Sequence, residues 1–442
     1  MQLNLKNVNL IRHAEITLNG LTVIAGENDT GKSTIGKILF SLIKSLNQYD
    51  KGFSDDKKIN IQEKIEHIYR QVRSMFRFDD HPELKRAFFP RTFFKEMSQV
   101  IHFSAAPYQA DEIKSLIKKK IHQLENSPMP SQEGNGFTDL IQDIQALRKL
   151  VLNLLPGKAM ADSVKPVLSR ILASEFSSEL ISQYAGVQQA NIILSEGHNP
   201  ILSLDISADT MQLDIADGLL LTEASFVETP IILQLYDLIN SASERRTRLP
   251  YHLVDLIDKL KNVQYLSDTL VDEQAPLFGP SANTRTLMQG GFDFDDANQD
   301  FVFRRDHGPA HTLSIKPVNT ASGIKAFGII QLLMHADLLD EKHLLIVDEP
   351  ETHLHPAWQV EYARLMIALV KRGIPVLLTS HSPYVIQALN VEGKKAGLES
   401  KMNYYLAECD EEGRSNITEV SEDLNQVFIK LSAPLQNLVW DQ

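Results

Sequence analysis

A single cysteine, Cys409, is all the thiol chemistry in the chain, so an internal disulfide is excluded and the fold must stand on packing. The same scarcity agrees with a reducing compartment, and a cytoplasmic location is expected by default. No apolar run approaches the ~20 residues that would cross a bilayer. The opening Met1-Gln-Leu-Asn-Leu-Lys6 lacks the basic-then-apolar order of a secretory leader, so no membrane partner is expected. Internal repeats, low-complexity tracts and sustained heptads are missing too, which argues against solenoids and long coiled coils. Positive charge is also short. Lys and Arg number 44 against 57 Asp and Glu, a net charge of −13 and the wrong sign for a surface that attracts nucleic acid throughout. The densest basic run, Lys114-Ser-Leu-Ile-Lys118-Lys119-Lys120, reads as the solvated face of a helix, and a local basic groove for DNA stays open.

What is present is a chain of 442 residues, 43% hydrophobic and 23% charged, with room for two or three structural units. Leu3, Leu5 and Val8, then Ala14–Leu18, then Gly20–Ala25 read as strands, and the last ends in a glycine loop. Ile35, Ile38, Leu39, Leu42 and Ile43 follow at helical spacing. Residues 1–48 are therefore expected to open an α/β domain. From 49 to 190 glycine is rare and apolar residues recur at helical spacing, as in Ile61, Ile65, Ile68, Tyr69 and Val72, which predicts an all-helical insertion. The run Asn126–Gly136 reads as a loop within it. Residues 191–442 are expected to return to the α/β domain, with a helical stretch near 231–289. The later alternation of strand and helix predicts a mixed, mostly parallel sheet.

Gly26-Glu27-Asn28-Asp29-Thr30-Gly31-Lys32-Ser33 fits the phosphate-binding loop, with strand before and helix after. Glycines let the backbone approach the phosphates closely, and the helix adds the positive end of its dipole. Gly26, Asn28, Asp29, Thr30, Gly31, Lys32, Ser33 and Thr34 are the expected nucleotide-binding positions; Lys32 would reach the β- and γ-phosphates and the Ser33 hydroxyl would hold Mg²⁺. His343-Leu-Leu-Ile-Val-Asp348-Glu349 is the natural second half, a buried strand with carboxylates at its C-terminal end. Asp348 would serve Mg²⁺, and Glu349 would polarise the attacking water. Thr379-Ser-His381-Ser-Pro383 ends the next strand, and His381 would meet the γ-phosphate. Ser322, read as a helix cap, and Gly323 at the helix start would offer a hydroxyl and N–H groups to an anion. His353 and His355 with Glu351 lack the further ligands that a transition metal requires.

These motifs, in this order, resemble the ABC-type ATPases of the SMC, RecF and OLD group. Asp348-Glu349-Pro350-Glu351-Thr-His353-Leu354-His355-Pro356 looks like the branch found in OLD nucleases and Septu-type phage-defence ATPases. Thr320-Ala-Ser322-Gly323-Ile-Lys325 looks like the signature motif, without the Leu-Ser-Gly-Gly-Gln form of transporters. The resemblance covers residues 1–45 and 315–390 well and the middle poorly. It implies ATP and Mg²⁺ as cofactors, and a homodimer or higher oligomer in which ATP lies between Lys32, Ser33 and Asp348 of one chain and Ser322 and Gly323 of the other. Residues 49–190 would be an arm or lid. Glu228-Thr-Pro230 stands where the family has a glutamine, so no Mg²⁺ ligand is assigned there.

OLD nucleases add a Toprim nuclease domain beyond the switch histidine. Only 61 residues follow His381, short of the ~100 residues of a typical domain, so nuclease activity is expected on a separate effector, an HNH-type nuclease in the Septu case. The leading expectation is an ATPase that senses or gates in antiviral defence. The alternatives are a repair or chromosome-handling ATPase that binds DNA through its insertion, and a scaffold in which ATP is a structural ligand.

Overall fold

The computed structural model describes the chain apart from residues 77, 79–80, 91, 94–95, 98–105, 129–133, 153–157, 198, 217–218, 237, 240–248, 262–283, 296–299, 307–311, 337 and 441–442. It divides into two units. One comprises Met1–Ser45, Leu168–Gln212 and Leu219–Gln442, the other Leu46–Val167 and Leu213–Gly218. Residues 168–190 thus lie with the first unit.

The strands of the large sheet are β1 (Gln2–Val8), β2 (Ile11–Thr17), β3 (Leu21–Gly26), β4 (Gln189–Glu196), β5 (Asn199–Ser207), β6 (Met211–Ile215) and β7 (Glu223–Val227). After β8 (Gly290–Asp295), β9 (Asp300–Asp306) and β10 (Thr312–Ile315), which form a separate antiparallel sheet, come β11 (His343–Asp348), β12 (Val376–Ser380), β13 (Met402–Cys409) and β14 (Ser415–Glu419). Among the described residues the large sheet runs β6-β5-β4-β1-β2-β14-β13-β3-β12-β11-β7. Its half from β13 to β7 is parallel. Here β3, β11 and β12 are buried at every position, which explains their unbroken apolar runs. The wing of β1, β2, β4 and β5 is antiparallel, and β1 and β4 largely alternate buried with more exposed residues. The sheet is mixed, with one parallel half, as the alternation of elements predicts.

The helices are α1 (Lys32–Met75), α2 (Pro82–Phe88), α3 (Ala106–Glu125), α4 (Gly134–Leu152), α5 (Lys158–Phe176), α6 (Tyr251–Lys261), α7 (Thr284–Met288), α8 (Ser322–His335), α9 (Pro356–Lys371), α10 (Pro383–Lys395) and α11 (Asn425–Trp440). Phe327, Tyr362 and Leu389 from α8, α9 and α10 share one core with Leu345 and Leu378 of the sheet. The second unit has a core of its own, with Ile65, Val72, Phe88, Ile117, Ile144 and Leu147 fully buried or nearly so. The helical spacing read from Ile61 to Val72 is therefore a packing stripe. In the loop expected over 126–136, residues 129–133 lie outside the described ones, and α4 already begins at Gly134. In the helical stretch expected near 231–289, the described part holds a 3-10 turn at Pro230–Gln234, α6 and α7, while 262–283 lie outside. The strand expected from Leu219 forms only at Glu223–Val227.

Charge is buried behind the parallel edge of the first unit. Lys44 Nζ lies 2.6 Å from Glu223 and 2.7 Å from Asp255, and Lys259 Nζ lies 2.8 Å from Asp255 and 3.1 Å from Glu223. Two cations thus face two anions. His343, 2.9 Å from the Ser225 hydroxyl, is pushed down to about 3 by burial and by Lys259 nearby, so it is neutral. A second cluster centres on His252, whose side chain has no exposure. Its Nδ1 is 2.7 Å from Glu175, itself fully buried, and its Nε2 is 3.0 Å from the half-exposed Glu228. Burial pulls the imidazole's pKa down, but Glu175 and Glu228 outweigh it, and the net direction is up.

His252→Ala should lower the unfolding free energy by about 3–5 kcal/mol, because the buried Glu175 carboxylate loses its cation. A pKa raised in the folded state contributes stability that is complete below the ordinary value of 6.5 and lost as pH rises through the folded value. Urea unfolding across pH 6–9 should therefore show a decline in the natural chain that is missing from the variant.

Candidate functional site

The parallel register carries the chemistry to one rim. Ala25 of β3 pairs with Ser380 of β12, Thr379 pairs with Asp348 of β11, and Val347 pairs with Val227, one residue before Glu228. The C-terminal ends of β3, β12, β11 and β7 are thus neighbours, where sites form in open α/β sheets.

The loop after β3 has the backbone its sequence implies. Gly31 has φ +75, and a Cβ there would meet Ile11 Cγ1 at 2.9 Å; a Cβ on Gly26 would meet the Ala407 carbonyl oxygen at 2.6 Å. Asp29 also has positive φ. The Thr30 hydroxyl closes the loop on the Glu27 carbonyl at 2.8 Å, and Ser415 Oγ donates to the Thr30 carbonyl at 2.7 Å. α1 starts at Lys32, so its first-turn N–H groups, which lack intrahelical partners by geometry, begin at this loop. Thr34 N–H bonds back to the Gly31 carbonyl.

Lys32, 3% exposed at its side chain, donates from Nζ to the Glu27 carbonyl at 2.5 Å and lies 3.3 Å from Glu349 Oε1. Asp348 accepts from Thr379 Oγ1 at 2.5 Å and is hydrogen-bonded to the Ser33 hydroxyl. Burial pushes its carboxyl up, as do the charges of Glu349 and Glu228, while the two hydroxyls pull it down. Glu349 sits in the left-handed region, φ 42 and ψ 55, a conformation that costs a non-glycine residue energy and persists where surroundings enforce it. Thr379 enforces it, since both its carbonyl and its hydroxyl accept from Glu349 N–H, at 3.2 and 3.1 Å. His381 Nδ1 is 3.6 Å from Glu349 and 3.3 Å from Glu351.

Lys32, Ser33, Asp348, Glu349 and His381 are therefore brought together, while Gly323 packs against other residues. The nearest neighbours of Gly323 are Leu354, Trp358 and the main chain of His353, not the phosphate loop. Ser322 is also not a cap: the helix includes it, and Ala321, extended at ψ 143 and without a capping hydrogen bond, holds that position. The boundary lies one residue earlier than the sequence reading put it, within ordinary fraying of helix ends. Lys325, one turn on, is buried with Nζ 2.6 Å from Gln234, and burial pulls its pKa down.

Three residues at the rim escaped the sequence reading as site residues. Thr379 holds Asp348 and Glu349 together, and its position at the end of a buried strand was the available signal. Glu228 lies 3.0 Å from His252 and 4.0 Å from Lys37, and the hydrogen bond from His252 keeps its carboxyl below the usual range. Glu351, weighed only as a metal ligand, faces the switch segment. The chemical capacity of the arrangement is clear from these contacts. It has a cation and main-chain donors for phosphate, paired oxygen donors for a hard cation, and a carboxylate beside them for a water proton.

Residues 235–387 match the family described as "AAA domain, putative AbiEii toxin, Type IV TA system". The Septu protein PtuA of Bacillus thuringiensis is 40% identical over 52 residues, 11% of this chain and 12% of that protein, so the match spans about an eighth of the relative. Among solved structures, the SMC head domain from Thermotoga maritima aligns over 95% of this chain and 98% of its own, at 12% identity and a TM-score of 0.37. The SmcHead bound to the C-winged helix domain of ScpA aligns over 96% and 98%, at 11% identity and 0.38. Structural likeness this loose carries no argument. The sequence matches do: the chain is similar to an AAA-type ATPase family over residues 235–387 and, over 52 residues, to a Septu protein.

Thr379→Val keeps the shape of the side chain but removes the donor to Asp348 and one acceptor of Glu349 N–H. A loss of about 1–3 kcal/mol in denaturant unfolding is expected, with Thr379→Ser close to the natural chain.

Proposed function

We propose that the chain binds Mg-ATP and hydrolyses it to ADP and phosphate, as the gating ATPase of an antiviral defence complex whose effector is a separate protein. The observation that carries the ATPase half is the convergence of Lys32, Ser33, Asp348, Glu349 and His381 on one rim from three strand ends. Lys32, already desolvated, meets the β- and γ-phosphate oxygens with little further loss of hydration. Gly26, Asn28, Asp29, Thr30, Gly31 and Thr34 shape the main chain around the phosphates, and the start of α1 faces them with N–H groups. Ser33 and Asp348 fit a magnesium ion, since a hydroxyl and a carboxylate already in contact are hard oxygen donors. Bound there, the ion would neutralise charge on the phosphates. Glu349, held in its left-handed turn by Thr379, accepts the proton of the attacking water. His381 contacts the γ-phosphate and distinguishes ATP from ADP.

Ser322 and Gly323 act in trans on this reading. They belong to the site of a second copy, and the packing of Gly323 against Leu354 and Trp358 in its own chain is compatible with that. The arm or lid on this reading is the helical part of the second unit, Leu46–Val167, since 168–190 lie with the first. The defence role is supported by the Septu match, and it brings an effector, an HNH-type nuclease on that analogy, as the partner.

Lys32→Ala should weaken ATP binding about 10- to 100-fold, the worth of a charge-assisted contact, read by calorimetric titration. Glu349→Gln should still bind ATP but hydrolyse it about 10²- to 10⁴-fold more slowly. Its mass should double with Mg-ATP in light scattering, and a nuclease should co-purify from the native host. Wild-type turnover by this variant removes the general-base role; a mass indifferent to ATP removes the nucleotide-bridged dimer.

A further inference from the structure

The ATPase reading gives Glu351 no task, yet its side chain, 3% exposed, is far more deeply buried than those of Glu349 and Glu228. Its Oε1 accepts from Ser380 Oγ at 2.7 Å, from His381 N–H at 2.6 Å and from Ser382 N–H at 3.1 Å, and stands 3.3 Å from His381 Nδ1. One oxygen thus holds the main chain that carries His381 and lies beside its ring, whose buried Nδ1 has no hydrogen bond among the described residues, as is also true of the second Glu351 oxygen. Nothing about three neutral donors requires an anion, because an amide or carbonyl oxygen would accept from them equally. Burying a carboxylate is unfavourable unless its charge meets a partner. The imidazole is the neighbour that responds to charge, through its tautomer and orientation. The rest of the turn is already fixed by other means: Ser382 Oγ donates to Gln359 at 2.7 Å and caps α10 by accepting from Val385 N–H.

Resting on the ATPase reading, we propose that Glu351 is a positioning residue for His381. Its carboxylate holds the ring with Nδ1 turned inward, carrying a proton, between Glu349 at 3.6 Å and Glu351 at 3.3 Å. Nε2 is then the ring nitrogen left for the γ-phosphate. No bond forms or breaks at Glu351; it acts through the tautomer and orientation of its neighbour, as carboxylates do behind ligating histidines. The three-residue step from Asp348 to Glu351 places the orienting carboxylate on the same turn as the metal-binding and water-activating ones. A single 3-10 turn at Pro350–His353 thereby couples the β11 end to the β12 end.

The test is Glu351→Gln, which keeps an oxygen for the three donors and removes the charge. The full-length variant should fold and bind ATP within about twofold of the natural chain, while kcat falls about 10- to 100-fold, the usual effect of losing such a second partner. The distinguishing readout is the ¹⁵N spectrum of histidine-labelled protein, with the His381 ring assigned from the spectrum of His381→Gln. In the natural chain Nδ1 of His381 should carry a proton; in Glu351→Gln the ring signals should move toward the Nε2-protonated tautomer, and Glu351→Asp should restore them in part. Ring signals that do not move overturn the proposal, whether or not kcat falls. If Glu351→Gln does not fold, an unprotonated Nδ1 in the natural chain overturns it just as well. A natural chain without ATP hydrolysis sinks the ATPase reading instead, and the ring spectrum still reports whether Glu351 holds His381.

Discussion

Four carboxylates, those of Glu228, Asp348, Glu349 and Glu351, stand at one rim of the sheet, and like charges so close raise one another's energy. The repulsion is visible at Asp348, whose carboxyl is pushed up first by burial and then by Glu349 and Glu228. Each acid has its own relief. Asp348 has two hydroxyls, from Thr379 and Ser33, and Glu349 has the ammonium of Lys32. Glu228 has the imidazole of His252, and Glu351 has three donors on a single oxygen. None of the four could be held in place by burial of apolar surface alone. The rim is therefore organised by polar contacts across strands, and the register of β12 against β11 and β3 is what makes those contacts available.

The strand ends were legible in the sequence because each joins an unbroken apolar run to a polar residue of a special kind. His343–Val347 followed by two acids, and Gly20–Ala25 followed by a glycine loop, need no knowledge of neighbours to be read. What joins the ends was not legible. The Glu175–His252 pair spans 77 residues and Lys44–Glu223 spans 179, and nothing local marks either as a pair. Glu351 lay within a segment read for its resemblance, yet its partners belong to the next strand. Its role follows from the crossing of two elements, which spacing along one of them does not encode. The missed cap at Ala321 is a smaller matter of the same kind, since a hydroxyl placed one residue inside a helix start is no longer in capping geometry.

The buried ions behind the rim make a second layer with a different balance. Lys44 and Lys259 against Glu223 and Asp255 are two charges of each sign, all largely removed from water. Such a set contributes little net stability compared with apolar packing of the same volume, but breaking it by one member leaves an uncompensated charge. Glu223 begins β7, and Lys44 lies on the helix that the phosphate loop starts. The edge strand of the parallel half is thus tied by charge to the element that bears Lys32 and Ser33. His343, kept neutral at the start of β11, avoids adding a third positive charge to this pair of lysines.

The stretch after His381 gains its meaning from the loop rather than from any chemistry of its own. Read as sequence, it suggests a strand at Tyr404–Glu408 and a helix at Phe428–Leu431, and Asp410–Glu412 reads as a turn. That turn joins β13 to β14, with Gly413 N–H bonded back to the Asp410 carbonyl. β13 lies directly against β3, so that Ala407 meets Gly26 with no room for a side chain, and β14 places Ser415 under the Thr30 carbonyl. From the other end of the chain, the side chain of Ile11 of β2 lies close against Gly31. A glycine loop free in solution samples many conformations, and the entropy of fixing it opposes phosphate binding. Held by β13, β14 and β2, three successive strands on one side of β3, this loop has less of that entropy left to lose. Segments that place no charged group at the rim thereby shape the loop to which the proposed function assigns the phosphates.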